Sequence, residues 1–115
     1  MEQQINRIEL RGNVGIVHLN QVGENRVVRF SLATNYVYKG RDGQGVVETT
    51  WHNITAWEGR GMPDFEKITK GKGVHVWGRV RNSKYTGQDG LEKSINEVIA
   101  SNLEIEDSSY SVPQS

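Results

Sequence analysis

The chain has 115 residues, 14 of them basic and 14 acidic, so its formal net charge is zero, and it has no cysteine. That length suits one compact domain, and the lack of cysteine removes disulfide frameworks and thiolate metal sites, in keeping with a reducing cytoplasm. No stretch approaches the ~20 apolar residues of a membrane helix, and Met1 to Arg11 has no apolar run behind a basic head, so neither membrane insertion nor secretion is expected.

Alternation from Ile8 to Val14 predicts the first strand, with Ile8, Leu10, Gly12 and Val14 on one face and Arg7, Glu9, Arg11 and Asn13 on the other. The stretch holding Gly15 and Gly23 continues or bends that strand. Arg26 to Thr34 alternates likewise and directs Val28, Phe30 and Leu32 inward. Gly40, Asp42-Gly43 and Gly45 supply turn chemistry for a hairpin tip, which leads into a third strand from Thr49 to Trp57. Met62 to Gly71 reads as a short helix: Pro63 lies early, acids occupy the first turn, Phe65 and Ile68 are three apart, and glycine ends it. A fourth strand, Gly73 to Asn82, is expected to bury Val74, Val76, Gly78 and Val80. A glycine-bearing loop from Thr86 to Gly90 precedes a fifth strand from about Ser94 to Leu103. Five strands with one short helix between the third and fourth give the element order of an all-β OB-fold, a small Greek-key barrel. It is expected to occupy residues 1–106, with a short disordered tail over 107–115.

The basic residues are clustered. Arg26, Arg29, Lys39 and Arg41 form one acid-free stretch, and Lys70, Lys72, Arg79, Arg81 and Lys84 form another. Trp51 and Trp57 are six apart, so on a strand they share a face with Asn53 and Thr55. On strand four the outward set reads His75, Trp77, Arg79, Arg81, Ser83 and Tyr85. Rings interleaved with guanidinium groups suit single-stranded nucleic acid, whose unpaired bases stack on aromatic side chains while its backbone follows positive charge. Bases in a duplex are already stacked, so intact double-stranded DNA gains little there. A strand tryptophan is more often core or subunit contact than ligand platform, and His52, His75 and Trp77 are the candidates for an oligomer interface.

Other chemistry finds little support. His18, His52 and His75 lie far apart without carboxylates at ligand spacing, so no metal is expected. Gly43-Gln44-Gly45, Gly59-Arg60-Gly61 and Gly71-Lys72-Gly73 do not continue into a phosphate-loop or dinucleotide pattern. No recognisable nucleophile motif is present, so neither catalysis nor a cofactor is expected.

Asn6-Arg7-Ile8-Glu9-Leu10-Arg11-Gly12-Asn13-Val14-Gly15, Phe30-Ser31-Leu32-Ala33-Thr34, Thr50-Trp51-His52, Lys70-Gly71 and Val76-Trp77-Gly78-Arg79-Val80 occur in this order. Together they resemble the bacterial single-stranded DNA-binding protein family over about residues 5 to 105. The resemblance implies an OB barrel, a homotetramer in the cytoplasm at the nucleoid, and sequence-independent binding of single-stranded DNA in replication, recombination and repair. It implies stacking roles for Tyr38, Trp51, Trp57 and Tyr85, with tyrosine at 38 and 85 where the family more often has tryptophan. Arg29, Lys72, Arg79, Arg81 and Lys84 are the expected phosphate contacts. The family's acidic tip, which recruits replication and repair proteins, is missing before Ser115, so such recruitment is not expected. The alternatives are a dimeric OB-fold accessory of replication restart, acting mainly through protein contacts, and an RNA-binding OB domain.

Overall fold

A computed structural model describes residues 3–106 of the chain. Its strands are β1 (Ile8–Val22), β2 (Asn25–Lys39), β3 (Gly45–Trp57), β4 (Gly73–Thr86) and β5 (Glu92–Ile105). They close into a barrel in the order β1-β2-β3-β5-β4. Neighbours are antiparallel except at the closing seam, where β3 and β5 run parallel over Ile54↔Val98 and Thr55↔Ile99. This is the five-stranded architecture expected from the spacing of the apolar runs. The segment expected to form a disordered tail, residues 107–115, lies outside the described residues.

β2, β3, β4 and β5 are longer than their alternating stretches, because the β2–β3 and β4–β5 hairpins continue pairing as arms beyond the barrel. Tyr36↔Glu48 and Tyr38↔Val46 are such pairs, as are Lys84↔Ser94 and Tyr85↔Lys93. Both faces of an arm meet water, so no apolar period marks it. Val80, whose parity places it in the core, lies opposite the buried Val98, yet its own side chain is exposed.

β1 both continues and bends. Its first half pairs with β4, from Ile8↔Gly78 to Asn13↔Gly73, and its second half pairs with β2, ending at Val22↔Asn25. Gly12 lies where the two pairings exchange, and a Cβ there would collide with the Ala33 backbone, so only glycine permits so close a crossing. A register shift between Val14 and Val17 then adds a residue to β1, and Ser31 Oγ accepts the Ile16 N–H at 2.9 Å.

The core comprises Val28, Phe30 and Leu32 of β2, Ile54 and Ala56 of β3, Val74 and Val76 of β4, and Val98, Ala100 and Leu103 of β5, among others. Phe65 and Ile68 join this cluster from the segment between β3 and β4. That segment is not the ten-residue helix expected but a single 3-10 turn, Phe65–Lys67. Asp64 caps it by accepting the Glu66 N–H, and Ile68 leaves in extended conformation. Gly71 is then captured by β1, its N–H donating to the Val14 carbonyl at 2.7 Å. Burying both apolar residues and returning to β1 within so few residues leaves no room for further helical turns. Arg26 fastens the turn to the barrel, contacting Glu58 at 3.3 Å, Glu66 at 3.4 Å and Asp64 at 3.8 Å.

Candidate nucleic-acid interface

Pairing between β2 and β3 fixes what lies beside the two tryptophans. Trp51 faces Ala33, Asn53 faces Ser31, Thr55 faces Arg29 and Trp57 faces Val27. Opposed residues share a face, so these small and polar side chains form the floor between the rings. Trp51 is 60% exposed and Trp57 42% exposed. The Trp51 ring reaches across β2 to Gly15 on β1, where a Cβ would come within 2.7 Å of Cζ3. Gly15 and the short side chains of Ser31 and Ala33 thus leave room for the indole above β2 while much of its surface stays open. Strand parity alone does not reveal their contribution, although a run of small outward residues opposite a tryptophan carries that signal.

A depression of about 400 Å3 lies beside this floor, lined by Arg29, Asn53, Thr55, Arg81, Ser83, Tyr85, Ile95 and Glu97, with Ile54 beneath. Two smaller depressions adjoin it. One is walled by Ile16, His18, Arg29, Ser31 and Asn53, the other by Trp51, His52, Asn53, Asn96 and Glu97, among others. Asn53 is common to all three. The fold therefore joins residues of the two acid-free stretches, Arg29 and Arg81, in one groove between Trp51 and Tyr85.

Glu97, on β5 directly opposite Arg81, also lies in that groove. Its Oε1 accepts from Arg81 Nη2 at 2.6 Å and Nε at 3.2 Å, and its Oε2 accepts from Thr55 Oγ1 at 2.9 Å. Burial pushes this carboxyl up, but the hydrogen bonds from Arg81 and Thr55 and the charges of Arg81 and Arg29 outweigh it and hold the group below the usual carboxylate range. An acid-free stretch of sequence gives no sign of Glu97, because it lies in a different strand.

The remaining expected contacts are placed differently. Arg79 shares the outward face of β4 with Arg81 and pairs across to Ile99, away from Tyr85. Lys84 has the opposite parity from Tyr85 and meets Glu92 at 3.4 Å. Lys72 lines another cavity, with Met62, Asp64, Lys67 and Glu104, beside the 3-10 turn. Tyr38 is 43% exposed on the β2–β3 arm, five residues from Ala33 and so on the opposite face of that ribbon from Trp51. Tyr36 accompanies it, with ring centroids 6.1 Å apart.

The three residues expected at an oligomer contact are already engaged within the chain. His75 is nearly buried although its parity is outward, because the Trp77 ring stacks on it with centroids 3.8 Å apart. His75 Nε2 meets Glu9 Oε2 at 2.6 Å, and Arg11 Nη2 lies 3.4 Å from Nδ1. His52 is half-buried with Nε2 2.9 Å from Thr34 Oγ1, and burial lowers its pKa below the ordinary 6.5.

A closed five-stranded barrel with one capping turn, carrying open indoles beside a guanidinium-lined groove, defines an OB-fold of the polynucleotide-binding kind. The model of the single-strand binding protein family matches residues 5–106, and the chain belongs to that family. It is 36% identical over 108 residues to the single-stranded DNA-binding protein of Xanthomonas axonopodis pv. citri, covering 91% of this chain and 59% of that protein. The mitochondrial single-stranded DNA-binding protein of rabbit, Oryctolagus cuniculus, is 31% identical, covering 90% of this chain and 76% of the other. Among solved structures, the Plasmodium falciparum SSB complex with ssDNA superposes with a TM-score of 0.75 at 27% identity, covering 93% of this chain and 99% of that one. The chain thus spans about three fifths of the length of the bacterial relative.

Proposed function

We propose that the protein binds single-stranded DNA without sequence preference, and that it acts by binding rather than by catalysis. The observation that carries this reading is the groove in which Arg29, Arg81 and Tyr85 meet Asn53, bordered by the exposed Trp51. Bases stack on Trp51, Trp57 and Tyr85, each stack contributing ~1–3 kcal/mol. The phosphates between them run past Arg29 and Arg81, with Arg79 further along β4. Tyr38 and its neighbour Tyr36 receive bases where the strand passes over the β2–β3 arm. Lys72 and Lys84 contribute only to the general field. The family and the relatives' names support the choice of single-stranded DNA.

The working assembly is a homotetramer in the cytoplasm at the nucleoid, serving replication, recombination and repair. A second copy packs against the surface around His52, His75 and Trp77. The experiment is a competition in which a labelled oligo-dT is displaced by unlabelled single-stranded or duplex DNA of equal length. Displacement by single strands at concentrations where duplex has no effect is expected. Equal displacement by both contradicts the reading, and light scattering at a monomer mass removes the tetramer.

A further inference from the structure

Glu97 is an anomaly for a groove that takes a polyanion. Its side chain is only 13% exposed, against 49% for Arg81, so the carboxylate is held inward under the guanidinium. Both of its oxygens are satisfied, one by Arg81 and the other by the Thr55 hydroxyl, and the charge of Arg29 acts on it as well. Two oxygens held by a guanidinium and a hydroxyl reproduce how the two non-bridging oxygens of a phosphodiester are bound. Thr55 is itself almost fully buried, and its hydroxyl donates to this carboxylate, so the donor set is built and aimed before any ligand arrives.

We infer that Arg81, Thr55 and Arg29 form a preorganised subsite for one backbone phosphate, and that Glu97 occupies it in the free protein as a carboxylate stand-in which the bound strand displaces. The inference rests on the proposed function and adds a direction to it: Glu97 opposes binding. The opposing arrangement keeps the Glu97–Arg81 pair intact in the complex, with Glu97 merely positioning Arg81.

A double-mutant cycle on oligo-dT affinity separates the two, using Glu97→Gln, Arg81→Met and both together across a range of salt. Displacement requires that Glu97→Gln tighten binding about fivefold at low salt, near the upper end of what a single ion pair at a protein surface contributes. Arg81→Met must then cost more in the Glu97→Gln background than in the unaltered protein. Unchanged or weaker binding by Glu97→Gln, with a smaller cost for Arg81→Met in its background, overturns the inference while leaving single-strand binding standing. Failure of the unaltered protein to bind oligo-dT overturns both. Should Glu97→Gln fold poorly, carbon-13 titration of the Glu97 carboxyl in the unaltered protein separates the same two arrangements. Facing Arg81, Arg29 and Thr55, the group titrates low when free. Its midpoint rises into or above the ordinary carboxylate range on saturation with oligo-dT if a phosphate replaces it, and a midpoint that stays below that range overturns the inference.

Discussion

Trp51 packs against Gly15, atoms of its six-membered ring filling the space where any other residue would carry a Cβ. The contact spans three strands, and it turns a side chain that would otherwise sweep through solvent into a fixed platform. Stacking then costs little side-chain entropy, because the ring is ordered before a base reaches it.

Gly15→Val is accordingly expected to lift the indole off its floor and weaken oligo-dT binding by up to the ~1–3 kcal/mol of one lost stack. The effect should approach that of Trp51→Ala and should not add to it in the double variant, since both remove the same contact. Affinity measured for the two single variants and the double variant checks this; full additivity contradicts it.

Among the cations, position in the fold and not charge alone decides the outcome. Arg29→Met is expected to flatten the log–log salt dependence of binding by roughly 0.7, one phosphate on a single strand. Lys72→Met and Lys84→Met should leave the slope nearly unchanged, because Lys72 lies beside the 3-10 turn and Lys84 is paired with Glu92 on the other face of its arm. Titrations at four or five salt concentrations distinguish the three variants.

His52 gives the fold a pH dependence. Burial lowers its pKa, so as pH falls through the ordinary 6.5 the unfolded chain takes up a proton that the folded chain refuses. Stability is therefore fully present above that pH and declines below it until the lowered folded-state pKa is reached. Urea unfolding between pH 7.5 and 5.5 should show a steeper loss for the unaltered protein than for His52→Gln. Parallel curves count against it.

Phe65 is the residue that closes the barrel end, being almost completely buried from a turn of only three residues. Phe65→Ala is expected to cost about 3–5 kcal/mol of stability, as for other buried aromatic truncations. Binding at temperatures where the variant remains folded should be unaffected, since Phe65 lines none of the three depressions around Asn53.

The barrel is legible in the sequence wherever one face of a strand is buried. Val28, Phe30 and Leu32 alternate with polar neighbours because the core demands it, and the parity of Trp51 and Trp57 follows from the same rule. The arms are not legible, because a ribbon wet on both faces leaves no period; hence the short strand limits. The supposed helix after Met62 has the right residues, but its length is decided by the distance back to β1, which no local pattern encodes. At the site, Arg29 and Arg81 stand out from their neighbours along the chain. Glu97 does not, since its relation to Arg81 exists only through the β4–β5 register. Tyr38 comes from family resemblance alone, and its place on the far face of the ribbon needs the pairing of β2 with β3.

The most direct measurement is intrinsic tryptophan fluorescence during titration with oligo-dT at low salt. Stacking on Trp51 and Trp57 predicts strong saturable quenching that added salt reverses and that an equal length of duplex does not produce. Emission that stays constant while oligo-dT is shown by anisotropy to bind would mean that the strand lies elsewhere, and would contradict the account.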